Sequence, residues 1–425
     1  MSHDLSPRFR DVSLRILDAD GAPADPASVV VEQTRHAFGF GNIGFDFLGL
    51  LGGATSGPDG AREALAAADV ALAEPLLEAW LAVFDTVTLP FYWRFFEPAP
   101  GHPDTARLQA TARWFADRGV RVKGHPLVWH TLAPAWLLDR TDAEVEAAIR
   151  ERNRRDASDF SGLVDQWDAI NEVVILPDFT AEDNAVTRLA RSRGRVEMVR
   201  MAFETAREAD PSARLVLNDF DLSPRYERLI EECLAAGIRI DAIGLQTHMH
   251  QGFRGEDQLA SILERFARFG LPLQLTETTL VSGDLMPPEI VDLNDHVVSE
   301  WPSTPEGEAR QADELERHYR TALAHPAVES LTMWGMTDAG AWLGAPVGLL
   351  RADGSEKPSY AMLRNLIRGK WWHAPRAIAP DADGLIRVRG FAGDYRATAA
   401  AGSATFSIAP DADASAAALE VRLTR

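Results

Sequence analysis

The chain has 425 residues, with 43 Lys+Arg against 63 Asp+Glu and a formal charge of −20. That acidity argues against nucleic acid and against an anionic membrane as partners, since both require basic patches. Apolar residues make up 46% of the chain and charged residues 25%, which supplies a large core and excludes global disorder. The single cysteine, Cys233, permits no intrachain disulfide and no cysteine-based metal site, as in a reducing compartment. The opening MSHDLSPRFR lacks an apolar signal-peptide core. No stretch reaches the ~18 apolar residues of a membrane span. The expectation is a cytoplasmic protein.

Residues 10–35 carry two β-like runs, 12–17 and 29–34, around the turn-rich DADGAPADPAS. Eight short apolar or β-branched runs follow, at 36–44, 86–91, 121–130, 167–174, 214–222, 242–250, 272–280 and 330–338. Such runs read as buried parallel strands. Helical spacing fills the gaps: 62–84 with a kink at Pro75, 196–209 stopped by Asp210-Pro211, 257–269 ended by Gly270, and a last helix opening at Pro358. Eight strands with following helices predict an α/β fold, a (β/α)8 TIM barrel over residues 36–370. The alternative, a doubly wound open sheet, calls for a Gly-rich phosphate turn after its first strand. Here GFGNIGF runs instead into a long loop. After Trp371-Trp372 four alternating runs, LIRVRGF, DYRATAA, SATFSIA and ALEVRLT, predict antiparallel sheet. Neither terminus has strands enough for a stable sandwich alone. Residues 1–35 and 371–425 are therefore expected to pair into one accessory antiparallel β-domain.

A barrel's chemistry sits at the C-terminal ends of its strands. Those ends read GHPLVWH, WDAINE, LNDFD, GLQTHMH, LTETT and WGMTDAGAW, rich in carboxylates, amides, imidazoles and tryptophans. Glu172 comes after the fourth strand and Glu277 after the seventh, and strands four and seven lie across the mouth from each other. Two opposed carboxyls suit glycoside cleavage, one protonating the leaving oxygen and the other meeting the anomeric carbon. Tryptophan faces offer platforms to sugar rings, and amides and imidazoles answer hydroxyls.

The motifs GHPLVWH, WDAINE, LVLND, IGLQTH, LQLTETT, MWGMTDAGAW and KPSY, in that order, resemble those of the family 10 glycoside hydrolases, typified by endo-1,4-β-xylanases, over about residues 36–369. The resemblance implies a retaining glycoside hydrolase acting on β-1,4-xylosidic bonds, with Glu172 as general acid/base and Glu277 as nucleophile. It further implies that Asn171 holds the sugar 2-hydroxyl, that His125, Gln246 and His248 line the reacting-sugar site, and that Trp129, Trp334 and Trp342 contact sugar. The substrate class is carbohydrate, β-xylosides or xylo-oligosaccharides, with no cofactor and no metal.

Two departures stand out. The family's Thr-x-Glu-Asn-x-x-Lys-Trp pattern after the second strand is replaced by Thr88-Leu89-Pro90-Phe91-Tyr92-Trp93-Arg94-Phe95, with Arg94 standing for the substrate-binding lysine. An apolar, aromatic loop there disfavours plain xylan and points to an alternative, a β-glycosidase for short xylo-oligosaccharides or aryl glycosides. Restoring Glu-Asn at Pro90-Phe91 is then expected to favour longer chains. The family's aspartate two residues past the nucleophile is Thr279, which bears on the charge of His248. A third reading, a non-catalytic sugar-binding protein, would need no acid paired with a nucleophile.

Other residues have plainer readings. The spacing of His248 and His250, with His125 and His130, is that of metal-dependent amidohydrolases, but there the pair closes the first strand rather than the sixth. His130 and His250 read as rim or packing residues, and Trp136, Trp167 and Trp301 as core. Asp219 and Asp338 read equally as structural acceptors or substrate ligands. The stretch RLARSRGR at 188–195 reads as an exposed basic loop.

Overall fold

The structure is a computed structural model that describes residues 4–24, 28–52, 70–412 and 417–424. It opens with β1 (Phe9–Leu17) and β2 (Val29–His36). Eight strands follow: β3 (Gly39–Ile43), β4 (Thr86–Pro90), β5 (Arg121–His125), β6 (Gln166–Asn171), β7 (Arg214–Asp219), β8 (Ala242–Met249), β9 (Leu273–Leu280) and β10 (Val328–Met333). Every residue of β6 and of β9 is buried, as a strand covered on both faces must be. They close into a barrel in the order β10-β3-β4-β5-β6-β7-β8-β9. All neighbouring pairs are parallel.

The strands end sooner than the sequence patterns suggest. Past His125 and Asn171 the backbone leaves the ladder: Leu127 N–H donates to the Asp168 carbonyl at 2.9 Å and Glu172 N–H to the Asn218 carbonyl at 2.8 Å. The polar residues after those two strands thereby become loops at the barrel mouth, whereas Gln246, His248 and Glu277 stay within β8 and β9. Register shifts between Asp168 and Ile170 on β6 and between Leu245 and Gln246 on β8 lie beside those loops, where bulges re-aim side chains.

Helices fill the crossovers and start where the sequence supplies caps. Thr141 and Glu144 form a capping box, while Asn184 and Thr304 each accept from the N–H three residues on. Proline opens Pro224–Ala235, Pro305–Ala324 and Pro358–Asn365, where a missing N–H costs nothing. Of the helix expected over 62–84, Val70–Leu81 is present with Pro75 inside it, and positions 62–69 lie outside the described residues. The basic stretch at 188–195 is not a loop. It belongs to the helices Ala185–Arg193 and Arg195–Ala209, and its arginines are paired: Arg188 with Asp142 at 3.0 Å, Arg193 with Glu146 at 2.8 Å, Arg195 with Asp178 at 2.6 Å. Val186, Leu189 and Ala190 supply the buried face that so many charges obscure in the sequence. Among the described residues no helix is long and apolar enough to cross a membrane.

After the barrel come β11 (Arg376–Ile378), β12 (Ile386–Phe391), β13 (Gly393–Ala399), β14 (Gly402–Ile408) and β15 (Leu419–Arg422). They share two sheets with the N-terminal strands, β12-β1-β15 and β11-β2-β13-β14. Leu14, Ile16, Val29, Val31, Val388, Tyr395 and Val421 fill the space between the sheets. The pairing is antiparallel with one exception. β1 and β15 run parallel, because β15 returns to the free edge of β1 from the other sheet. The three-residue β11 is too short to show a pattern in the sequence. This unit meets the bottom of the barrel, where the Arg8 guanidinium donates to the carbonyls of Leu323 (2.6 Å) and Val328 (2.6 Å), the latter opening β10. The mouth, at the opposite end, is left clear. Tyr395 is fully buried, its ring stacked on Phe406 and its hydroxyl donating to the Phe391 carbonyl at 2.6 Å. Tyr395→Ala should cost the terminal unit about 3–5 kcal/mol, seen in calorimetry as an earlier transition. An unmoved transition would show that this core contributes little.

Candidate active site

The mouth gathers side chains from five strands around two carboxyls. Glu172, the first residue past β6, has φ +58°, a conformation that non-glycine residues adopt at a cost and keep where the surroundings enforce it. Its Oε2 accepts from Trp129 Nε1 at 2.8 Å, and its Oε1 from Asn171 Nδ2 at 3.2 Å and Gln246 Nε2 at 3.4 Å. The side chain is only 14% exposed. Burial, followed by the charges of Glu277 and Asp219, pushes its pKa up to about 8 against the pull of the Trp129 hydrogen bond. At neutral pH this group is a carboxylic acid.

Glu277 is held differently. Its Oε1 accepts from Asn218 Nδ2 at 2.9 Å and its Oε2 lies 3.2 Å from His248 Nε2, with His125 Nδ1 4.0 Å from Oε1. Asn218 Nδ2 also donates to Asn171 Oδ1 at 2.8 Å, and Gln246 Nε2 reaches the same oxygen at 3.1 Å. One amide thus ties the two carboxyl neighbourhoods together. Thr276 Oγ1 donates to Asn218 Oδ1 at 2.6 Å and fixes which end of the amide faces Glu277. Gly244 is required beside it, because a Cβ there would stand 2.4 Å from Asn218 Oδ1.

His248 and His125 are each oriented from behind. His248 Nδ1 lies 3.2 Å from Thr279 Oγ1, which also accepts from Met249 N–H at 3.2 Å. The same hydroxyl lies 3.5 Å from His250 Nδ1, so it is shared between the two imidazoles, while His248 Nε2 faces Glu277. His125 Nδ1 lies 2.8 Å from Asp168 Oδ2, and Lys123 Nζ lies 2.8 Å from Asp168 Oδ1. Both Lys123 and Asp168 are buried. Burial works to raise the Asp168 carboxyl, but Lys123 and His125 outweigh it and hold the group below its usual range. The imidazole is thus anchored through Nδ1–H on a carboxylate.

Aromatic rings wall the space. Trp334 meets His125 edge-on at 5.0 Å and Phe45 at 5.5 Å, while Trp342, 38% exposed, flanks His248 at 5.1 Å and His250 at 5.2 Å. Tyr92 packs on Trp129 at 5.6 Å and on His125 at 5.7 Å. Phe91 turns the other way, fully buried against Phe96, Phe160 and Trp167. A Glu-Asn graft at Pro90-Phe91 would therefore empty a core position instead of rebuilding a sugar contact, contrary to the expectation from the loop's sequence.

Nine of the ten expected site residues converge. The tenth, Arg94, is bonded to the Ala133 carbonyl at 3.1 Å and to Glu182 at 3.0 Å, and none of its hydrogen bonds or ion pairs runs to the two glutamates. Asn218, Asp168, Lys123 and Tyr92 join the site without having been singled out. So does His130, a rim or packing residue by its sequence: its Nε2 stands 3.6 Å from Glu172 Oε2, and burial drops its pKa to about 3, so it faces the acid uncharged. Asp219 is a structural acceptor for Val174 and Asp221 N–H groups, and Asp338 pairs with Lys357 at 2.7 Å. Trp167 is core, but Trp136 and Trp301 are only partly buried.

The sequence model described as glycosyl hydrolase family 10 matches residues 86–366. The beta-1,4-xylanase of Dictyoglomus thermophilum is 27% identical over 265 residues, 59% of this chain and 70% of that protein. The anti-sigma-I factor RsgI6 of Acetivibrio thermocellus is 25% identical over 403 residues, 92% of this chain. The chain spans only 45% of that protein's length. Among solved structures, xylanase 10B from Thermotoga petrophila RKU-1 in complex with xylobiose shares the fold, with TM-score 0.62 and 22% identity over 79% of this chain and 95% of that one.

Proposed function

The chain belongs to glycosyl hydrolase family 10, and from that premise we propose that it hydrolyses β-1,4-xylosidic bonds with retention of configuration. The observation that carries this reading is a pair of glutamates held in different surroundings: Glu172 buried, its pKa pushed up to about 8, and Glu277 between the amide of Asn218 and the imidazole of His248. In the first step Glu172 gives its proton to the glycosidic oxygen as that C–O bond breaks, and Glu277 bonds to the anomeric carbon. In the second, Glu172, now a carboxylate, takes a proton from water as the water oxygen displaces Glu277. Asn171 is proposed to hold the sugar 2-hydroxyl, with Trp129, Trp334 and Trp342 against the ring faces. The test is direct. Linear xylo-oligosaccharides should yield products that are β-configured when first formed, as followed by NMR, and α-configured first products would refute retention.

The loop after β4 favours short substrates. It offers a sugar the Tyr92 ring, with Phe91 buried and Arg94 engaged by Glu182, and hydroxyls desolvated against a ring gain few partners. Aryl β-xylosides and short xylo-oligosaccharides should thus turn over faster than plain xylan. Efficient release of xylobiose and xylotriose from the polymer would overturn that preference.

A further inference from the structure

The KPSY stretch, residues 357–360, takes no part in the site described above, yet its side chains reach the loops that build it. Lys357 is buried. An ammonium donates three protons, and here each has an acceptor: Asp338 Oδ1 at 2.7 Å, Ser282 Oγ at 2.8 Å and the Gly348 carbonyl at 2.9 Å. Ser359 Oγ donates to Gln311 Oε1 at 2.8 Å, and Gln311 Nε2 donates to the Leu280 carbonyl at the end of β9, also at 2.8 Å. Pro358 opens the helix Pro358–Asn365, and the Tyr360 hydroxyl donates to the Ala79 carbonyl at 3.0 Å. Tyr360 thus anchors the helix to its neighbour, while Lys357 and Ser359 reach towards the mouth.

The three partners of Lys357 belong together. Asp338 and Gly348 bracket the tip of the loop after β10, and Asp338 Oδ1 also accepts from Gly348 N–H at 2.9 Å. Ser282 is the second residue past β9, the strand of Glu277, and its N–H donates to the Pro346 carbonyl of the same loop at 2.9 Å. One buried cation therefore closes the neck of the loop and ties it to the strand that carries Glu277. At the tip stands Trp342, beside the His248 and His250 rings. The tip does not hold itself. Leu343 has φ +63°, between Gly340 at +68° and Gly344 at +65°, and a leucine keeps that conformation only where its surroundings impose it. The Trp342 ring is exposed, so its own packing contributes little.

We propose that Lys357 is a positioning residue for the sugar site: through Asp338, Gly348 and Ser282 it holds Trp342 beside His248, where the ring receives the face of a sugar. A neutral side chain in its place would leave the Asp338 carboxylate, 13% exposed, without its cation. The two ends of the loop would then part, and the tip would lose the frame that enforces it. None of the hydrogen bonds of Glu172 and Glu277 runs through this loop. Loosening it therefore falls on sugar binding and spares the bond-breaking step. The inference rests on the glycosidase reading for the role of Trp342.

The test is a double-mutant cycle in the full chain, with an aryl β-xyloside and xylotriose as substrates. Lys357→Met should raise KM about tenfold, the worth of one aromatic face, and change kcat by less than about threefold. Trp342→Ala should raise KM by a similar factor. In the double variant the two effects should not multiply, because no ring is left to place. Asp338→Asn keeps an acceptor for Gly348 N–H and for the ammonium, and should raise KM less. It takes the place of Lys357→Met in the cycle if calorimetry shows that variant to be unfolded. Effects that multiply, an unmoved KM in either single variant of the cycle, or a loss confined to kcat overturns the proposal. The placement of Trp342 is also read without turnover, by acrylamide quenching of the fluorescence that Trp342→Ala removes in each background. Quenching should increase when Lys357 is replaced. Wild-type turnover with unchanged quenching sinks the clamp alone, and raised quenching in a chain that turns over neither substrate sinks the glycosidase reading alone.

Discussion

Glu277→Ala should lower kcat by a factor of about ten thousand to a million, the range for removing a group that works as part of a catalytic unit. The loss falls on the bond-forming step, since no other carboxylate touches both Asn218 and His248 among the described residues. A 2-fluoro-xyloside with a good leaving group should add its mass to the wild-type peptide containing Glu277, and to no other. Azide, small enough for the space vacated, should convert the variant into an inverting catalyst that makes the α-glycosyl azide. The variant also removes a negative charge that helps to raise Glu172. The Glu172 pKa should therefore fall from about 8 towards the ordinary 4.5, although burial keeps it from arriving. Labelling at another carboxylate, or a variant with wild-type kcat, would remove Glu277 from the proposed role.

Glu172→Ala should divide substrates by leaving group. Poor leaving groups need the proton and should lose about a hundred- to ten-thousand-fold in kcat/KM, while activated aryl groups should lose far less. Added azide should rescue the second step and give the β-glycosyl azide. Equal losses on both substrates would make Glu172 a structural residue. The pH dependence has a definite sign. The protonated form acts first, so glycosylation should decline as pH rises through about 8, and Glu172→Gln should erase that basic limb. Stability follows the same group. Its pKa is higher folded (about 8) than unfolded (4.5), so ionisation favours the unfolded chain. The penalty is absent below pH 4.5, grows between 4.5 and 8, and is constant above. Glu172→Gln should thus raise Tm at pH 8 relative to wild type more than at pH 4.

What the sequence makes legible follows from how each interaction is encoded. Glu172 and Glu277 stand out because a carboxylate at the end of an aliphatic run has no partner within its own strand. Asn218 and Asp168 sit in similar runs, yet their partners come from other strands: Asn171 and Glu277 for one, Lys123 and His125 for the other. That cross-strand register is not written in any local pattern. Which of Phe91 and Tyr92 faces the mouth depends on how the chain turns after Pro90, and adjacent rings look alike until that turn is known. The same holds for β15, where alternation announces a strand but not the direction of its neighbour. The barrel itself was readable for the opposite reason, since eight buried strands with capped helices between them leave few other arrangements.

The sharing of two sheets between the chain ends also fixes a timetable. β2 leads into β3 with only residues 37 and 38 between them, yet its partner β13 lies more than 350 residues downstream. At ribosomal speeds the edges of β1 and β2 wait roughly 20–70 s for the strands that cover them. For that interval they are open edges able to pair with the wrong chain, and the alternating charges on them, Arg10, Asp11, Arg15, Glu32 and Arg35, are the kind that discourage it. β10, which closes the barrel against β3, is synthesised before the strands that complete the terminal sheets. The strands made after the barrel therefore seal those made before it.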